Sequence, residues 1–284
     1  MSLKWPEDWD KPDQGNDLLC RKFMSGIWHG ENGFYFKYRY FRPEVKSRGN
    51  GEDIKFPLAL YIHGADAFGD DNALQLEIHD IGTMFAKDSW QDKNPCYILA
   101  PQCRMDRHWS RRDTCNMLQE FVLDFISRHN DIDTGRIYVY GYSAGGLGIL
   151  NLIKSFPDFY AAAVPICGAT NGDGIKELLK TPVWLIHAED DRIVRASYGD
   201  PGEGSGFFLG SADIYLVLKK YNDRHVDIRY TGYPEGWMKK VFGVNPHCSW
   251  VTVSDERQGD AIRRWMFGKK RKTDEQKKST YSNK

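Results

Sequence analysis

The chain has no apolar run near the ~18 residues that a membrane-spanning helix needs, so nothing within its 284 residues reads as a helical span. It has no excess charge of either sign: 39 Lys and Arg face 39 Asp and Glu. That balance removes the electrostatic reason to expect a nucleic acid or a membrane surface as partner. Cysteine is scarce. Cys20, Cys96, Cys103, Cys115, Cys167 and Cys248 are never spaced C-x-x-C, and in a chain of this size they argue against a disulfide scaffold. Cys96 and Cys167 lie in apolar, strand-like runs and are expected to be buried free thiols. The start, Met1 to Asp10, is polar and acidic without the apolar core of a signal peptide. The expected compartment is a reducing cytoplasm, although a leader already removed would leave the same start. Repeats and linkers are also missing, which points to one domain.

What is present is a sizeable apolar fraction, 41% of residues with 14% aromatic, and one stretch that organises the rest. Arg136-Ile-Tyr-Val-Tyr-Gly-Tyr-Ser143-Ala-Gly-Gly-Leu-Gly-Ile-Leu150 reads as a buried strand, a Gly141-Tyr142-Ser143-Ala144-Gly145 turn and an apolar helix. Strand, G-x-S-x-G and helix in that order form a nucleophile elbow. The serine sits on a strained turn whose flanking chains pass too close for a Cβ at Gly141 or Gly145. Its hydroxyl then stands clear of the sheet, at a helix start whose amides face a developing negative charge. The pattern alone arises by chance in a chain this long with a probability on the order of 0.1, so the partners of Ser143 must carry the argument.

In chain order, residues 1–32 are turn-rich and read as an N-terminal extension. Gly33–Phe41 alternates as an antiparallel strand, and Lys46–Lys55 reads as a polar hairpin loop. Phe56–Ile62 and Cys96–Ala100 read as buried strands, with helix-like spacing over Asn72–Ala86 between them. An amphipathic helix is expected over Asn116–His129. After the elbow come strands at Ala161–Cys167 and Pro182–His187, a helix over Ile214–Tyr221, a strand at Val226–Tyr230 and a closing helix at Asp260–Phe267. Strands alternating with helices imply an α/β domain over 33–268, with a mostly parallel central sheet and helices on both faces. Residues 269–284 are lysine-rich without periodicity and read as a solvated or disordered tail.

A serine hydroxyl is a poor nucleophile until an imidazole takes its proton, and the imidazole needs a carboxylate to fix its tautomer. Elbows of this kind are followed along the chain by the acid and then the histidine. The acid belongs at the carboxyl end of the next-but-one strand, where Glu189, Asp190 and Asp191 compete. Of eight histidines, His29, His63, His79, His108 and His129 precede the elbow. His187 precedes the acid, and His225 lies in a segment leading into a strand. His247, in Asn245-Pro-His-Cys-Ser-Trp250, occupies the loop between the last strand and the closing helix, as the base should. Asp191 lies 48 residues after Ser143 and 56 before His247, enough for each to reach the carboxyl edge of one sheet. The oxyanion needs two amides: the Ala144 N–H and, from the loop after an early strand, the Ala65 N–H of His63-Gly64-Ala65. His63 itself reads as structural.

Taken together these motifs resemble the predicted-peptidase/esterase branch of the α/β-hydrolases. The resemblance rests on His63-Gly-Ala with Gly69-Asp-Asp-Asn72, Ala100-Pro-Gln-Cys103 with Trp109, and Gly135 to Gly146. It extends through Ala161 to Gly168, Pro182-Val-Trp with His187 and Asp191, His247-Cys-Ser-Trp250 and Arg264-Trp-Met-Phe267. It covers roughly residues 33–268 and is similar to polyhydroxybutyrate depolymerases, feruloyl esterases and phospholipase/carboxylesterases. It implies the α/β-hydrolase fold and a serine hydrolase with no metal or organic cofactor. In such relatives the acid heads a D-x-x-V turn, here Asp191-Arg-Ile-Val194, which favours Asp191. Trp109 and Trp250 match positions near the pocket, and Phe68, Tyr142, Phe207, Phe208 and Trp237 are further aromatic pocket candidates. The chain departs from these relatives where Asp66-Ala-Phe-Gly69 replaces their Gly-Glu-Arg-Gly, so whatever that charged pair organises is expected to be absent. Ala144 and Ala188 replace a common Met and Gly, and insertions at Tyr198–Gly210 and Glu235–Asn245 are expected to reshape the pocket.

The expected reaction is ester hydrolysis through an acyl-enzyme, on a small-molecule or carbohydrate-linked ester such as a feruloyl or acetyl ester of plant polysaccharide. A serine peptidase of the same fold and an inactive hydrolase-fold binding protein are the rivals. Neither nucleic acid nor membrane is expected as partner, and the oligomeric state is left open.

Overall fold

The computed structural model describes residues 17–44, 54–199, 208–223 and 225–271. Ten strands are found among them: β1 (Met24–His29), β2 (Tyr35–Phe41), β3 (Phe56–Ile62), β4 (Tyr97–Gln102), β5 (Ile132–Tyr142), β6 (Ala162–Ile166), β7 (Ala169–Asn171), β8 (Val183–Ala188), β9 (Phe208–Gly210) and β10 (Ile228–Tyr233). Eight form one sheet in the order β1-β2-β4-β3-β5-β6-β8-β10. The pairs β1/β2 and β2/β4 are antiparallel and the rest parallel. β7 and β9 form a separate antiparallel ribbon.

The central strands are buried on both faces, as all seven residues of β3 show. Side chains alternate across a strand, so Leu58, Leu60 and Ile62 enter one core layer while Ala59 and Tyr61 enter the other. Helices α1 (Arg112–Arg128), α2 (Ala144–Ser155) and α3 (Ser211–Tyr221) cover the Leu58 face through Leu118, Phe121, Ile149, Leu152, Ile214 and Leu218. Helix α4 (Asp260–Phe267) covers the Ala59 face through Ile262, Trp265 and Met266. Burying each such side chain stabilises the fold by ~1.5–3 kcal/mol. The alternation read from the sequence thus yields the expected mostly parallel sheet with helices on both faces. No described helix is long and apolar enough to cross a membrane.

Three local readings change. Asn72–Ala86 is not one helix: it breaks into a turn of α-helix at Leu74–Glu77 and 3-10 turns at Asp80–Gly82 and Met84–Ala86. Extended backbone at His79 (φ −141, ψ 142) interrupts it, and Leu76, Ile81 and Phe85 are buried nonetheless. Within 1–32, Met24–His29 is an edge strand registered on β2, so the turn-rich stretch contributes to the sheet. At the other end, Lys269–Arg271 are tied down. The Arg271 N–H donates to the Gly135 carbonyl (3.0 Å), and Tyr138 Oη donates to the Lys269 carbonyl (2.9 Å). Residues 272–284 of the expected tail and 46–53 of the expected hairpin lie outside the described residues.

Candidate active site

The turn between β5 and α2 carries Ser143 at φ 53, ψ −121, a left-handed backbone that a non-glycine residue adopts only when its surroundings enforce it. Those surroundings are backbone. A Cβ on Gly141 would lie 1.9 Å from the Ile62 carbonyl oxygen, and one on Gly145 would lie 2.1 Å from the same atom. The Ser143 N–H is spent on the Ile166 carbonyl (3.0 Å), with Cys167 Sγ also at 3.2 Å. The strained turn is therefore held from both neighbouring strands, and its hydroxyl is left free to point outward.

Ser143 Oγ lies 2.9 Å from His247 Nε2, and His247 Nδ1 lies 2.7 Å from Asp191 Oδ2. Since Nδ1–H donates to the carboxylate, Nε2 presents its lone pair to the hydroxyl. His247 sits in a 3-10 turn, Pro246–Cys248, whose entry is set by Asn245: its side-chain oxygen accepts the His247 N–H at 2.9 Å. Asp191 follows β8 and is wholly buried at its side chain. Its Oδ1 accepts the N–H groups of Ile193 (2.8 Å) and Val194 (3.2 Å). Its Oδ2 also approaches His187 Nε2 at 3.3 Å. Burial pushes the Asp191 pKa up, but hydrogen bonds from His187 and His247 outweigh it and hold the carboxyl well below the usual range. The rival carboxylates are engaged elsewhere: Asp190 Oδ2 accepts the Gly236 N–H at 2.9 Å, and Glu189 is exposed.

Ala144 is the first residue of α2, and Ala65 is the first residue of a 3-10 turn, Ala65–Ala67. The first amides of a helix have no acceptor within it, so both N–H groups sit where an anion can take them. The two turns are close, because a Cβ on Gly145 would lie 2.7 Å from the His63 carbonyl oxygen. His63 is structural here. Its Nε2 accepts the Cys103 N–H (3.0 Å), its Nδ1 faces the Gly64 carbonyl (2.7 Å), and burial pushes its pKa down to about 4.

The aromatic pocket candidates divide. Phe68 is partly exposed, its ring nearly perpendicular to those of His63 and His108. Trp109 and Trp250 expose none of their surface and Tyr142 almost none, so they brace the site from behind without forming a wall. Trp109 packs beneath Gly148 of α2, and Trp250 lies on the Tyr142 ring at 4.2 Å. Phe208 is 43% exposed, while Phe207 falls in the 200–207 segment outside the described residues. Trp237 stacks on Tyr233. A cleft of about 620 Å³ opens beside α2 between Leu147, Asn151, Lys154, Ser110, Thr170 and Phe208. It starts one helical turn beyond Ser143, and none of Ser143, His247 and Asp191 lines it.

Among the described residues, one grouping offers ligand atoms for an ion: Cys167, Asp191 and His247, within 4.8 Å of one another. Two of its three members are already hydrogen-bonded to each other. The sequence reading missed the environment of His187, whose Nδ1 lies 2.8 Å from Ser211 Oγ behind Asp191. It also missed the partners of Asp66. Asp66 Oδ2 lies 2.7 Å from His79 Nε2, and its Oδ1 accepts from Tyr142 Oη at 2.8 Å. In neither case does spacing along the chain carry the signal.

No family model and no curated protein matches the sequence. Solved structures do match. A thermostable esterase is 29% identical with a TM-score of 0.76, over 89% of this chain and 64% of that one. The acylaminoacyl peptidase of Pyrococcus horikoshii is 15% identical with a TM-score of 0.59, over 90% of this chain and 44% of that one. The S-formylglutathione hydrolase of Staphylococcus aureus is 13% identical with a TM-score of 0.56, over 87% and 96%. The chain thus spans under two thirds of the length of the esterase and less than half of the peptidase.

Proposed function

We propose that this chain, which has the α/β-hydrolase fold of those esterases and peptidases, is a serine carboxylic-ester hydrolase. The observation that carries the reading is the unbroken hydrogen-bond relay Ser143–His247–Asp191, with each step under 3 Å. Ser143 Oγ attacks the ester carbonyl as His247 Nε2 takes its proton, and Asp191 supports the imidazolium that forms. The amides of Ala144 and Ala65 hold the tetrahedral oxyanion. As the intermediate collapses, the C–O bond to the alcohol breaks and His247 returns the proton to the leaving alkoxide. Water, deprotonated by the same imidazole, then attacks the acyl-enzyme and releases the acid and Ser143. Each proton taken is given back, and the side chains named suffice.

The proposed substrates are feruloyl or acetyl esters of plant polysaccharide. Supporting this are the exposed Phe208 ring, a surface for an aryl or sugar face, and the cleft beside α2, to which Asn151, Lys154 and Thr170 contribute polar groups. All six cysteines are free and buried. In the reducing cytoplasm proposed for this chain, the substrate would be an oligosaccharide fragment.

The test is labelling with a fluorophosphonate probe followed by mass spectrometry. A single adduct on Ser143, absent in Ser143→Ala, is expected, whereas a binding module would remain unlabelled. Turnover of p-nitrophenyl acetate without turnover of an aminoacyl-anilide separates an esterase from a peptidase. A panel of feruloyl, acetyl-xylan, short-chain and long-chain acyl esters compared by kcat/KM then tests the substrate class.

A further inference from the structure

The turn that presents the Ala65 N–H is short, and its own backbone bonds are weak. The Ala67 and Phe68 N–H groups reach the Gly64 and Ala65 carbonyls at 3.3 Å each, the long end of the range. What ties it down is the side chain of its middle residue. Asp66 Oδ1 accepts a hydrogen bond from Tyr142 Oη at 2.8 Å, and Oδ2 faces His79 Nε2 at 2.7 Å. Tyr142 immediately precedes Ser143, so this carboxylate joins the residue before the nucleophile to the residue after Ala65.

The same cluster reaches the base. Trp250 lies on the Tyr142 ring at 4.2 Å and beside His79 at 5.0 Å, and its ring stands edge-on to His247 at 5.7 Å. The network is almost sealed from solvent: side-chain exposure is 10% for Asp66 and 3% for His79. Burial and the neighbouring Asp66 charge push the Tyr142 pKa well up, so its hydroxyl keeps the proton it donates. Burial opposes ionisation of Asp66, but the bonds from His79 and Tyr142 prevail and its pKa lies below the ordinary value.

We propose that Asp66 is a positioning residue, whose carboxylate, tied to Tyr142 and His79, fixes where the Ala65 N–H meets the oxyanion. The proposal rests on the ester-hydrolase reading above. It also gives a physical reason for the break in the chain at His79. The extended backbone there turns the imidazole toward Asp66, at the expense of a continuous helix over 72–86.

The experiment compares Asp66→Ala, Asp66→Asn and Tyr142→Phe with the wild type. The readouts are p-nitrophenyl acetate turnover and inhibition by a trifluoromethyl ketone, which forms a tetrahedral adduct on the serine. Losing the alignment of one oxyanion donor lowers kcat by up to ~10²–10³, so Asp66→Ala should lose about 30-fold or more in kcat with KM within about twofold. Its affinity for the ketone should fall by a similar factor. Asp66→Asn, which still accepts from Tyr142, should recover most of the loss. Tyr142→Phe keeps the ring on Trp250 and removes one hydroxyl. It should lose about three- to tenfold and serves if Asp66→Ala does not fold. Folded variants with kcat and ketone affinity both within twofold of wild type overturn the positioning role, as does a loss confined to KM. A wild type that neither turns over the ester nor takes the fluorophosphonate label overturns the ester-hydrolase reading, and the positioning role with it.

Discussion

Replacing Asp191 by Asn changes one oxygen for one NH₂, and the structure determines which way the amide must lie. Oδ1 accepts two backbone N–H groups, from Ile193 and Val194. Turning the NH₂ toward them would leave two donors facing a donor, at about 1–3 kcal/mol each. The amide oxygen therefore keeps that place at the cost of the single His187 Nε2 contact on Oδ2, and the NH₂ faces His247 Nδ1, where Oδ2 stood at 2.7 Å. Nδ1 is forced to accept, its proton moves to Nε2, and Nε2 can no longer take the Ser143 proton. An imidazole locked in the wrong tautomer costs ~10⁴ in kcat, about 5 kcal/mol of barrier. Folding should survive, because the Oδ1 bonds are kept. The assay is p-nitrophenyl acetate hydrolysis near pH 8, with circular dichroism as the check on folding. Asp190→Asn serves as the control, because Asp190 only caps the Gly236 amide, and it should remain within about twofold of wild type. A folded Asp191→Asn that loses less than tenfold would refute the tautomer argument and the role of Asp191.

Further outcomes follow from the same geometry. Ser143→Ala keeps the left-handed turn while Ser143→Gly relieves it, so the glycine variant should be the more stable by about 1 kcal/mol, seen as the higher melting temperature. Gly145→Ala pushes a Cβ into the Ile62 carbonyl and should cost about 3 kcal/mol or more in urea unfolding; a loss under 0.5 kcal/mol would contradict the close approach. Folded His63 takes a proton only near pH 4, whereas the unfolded side chain does so near its ordinary 6.5. The unfolded state therefore binds the proton first, and stability should fall by about 3 kcal/mol as pH drops through that window. His63→Gln should flatten this slope, so parallel pH profiles for the two proteins would count against it.

The residues proposed for catalysis were legible because their order and intervals are one-dimensional facts: an elbow, an acid after the next strand but one, a histidine before the closing helix. Choosing among Glu189, Asp190 and Asp191 was harder, because three adjacent carboxylates differ only in direction. The structure separates them by what each one touches. Trp109 and Trp250, which the sequence suggests as pocket residues, are fully buried; aromatic residues beside a site and beneath it look alike along the chain. The run over 72–86 has helical spacing in its apolar residues, but the Asp66–His79 bond is a long-range contact that no window of local pattern contains. β1 went unread for a related reason. It is a six-residue edge strand with mostly exposed side chains, and its identity comes from the partner it pairs with.

Helix α2 meets its neighbours through glycines. Added Cβ atoms would strike the Ile62 carbonyl from Gly145, the Ile166 carbonyl from Gly146 and the Trp109 side chain from Gly148. The turn that carries Ser143 is thus anchored to main-chain atoms of two strands, which side-chain substitution leaves in place. Under the proposed esterase reading, exchanging the residues around Phe208 or Phe68 would change which acyl or sugar group enters without dislodging the Ser143 hydroxyl. On that reading, selectivity and reactivity reside in separate parts of the fold.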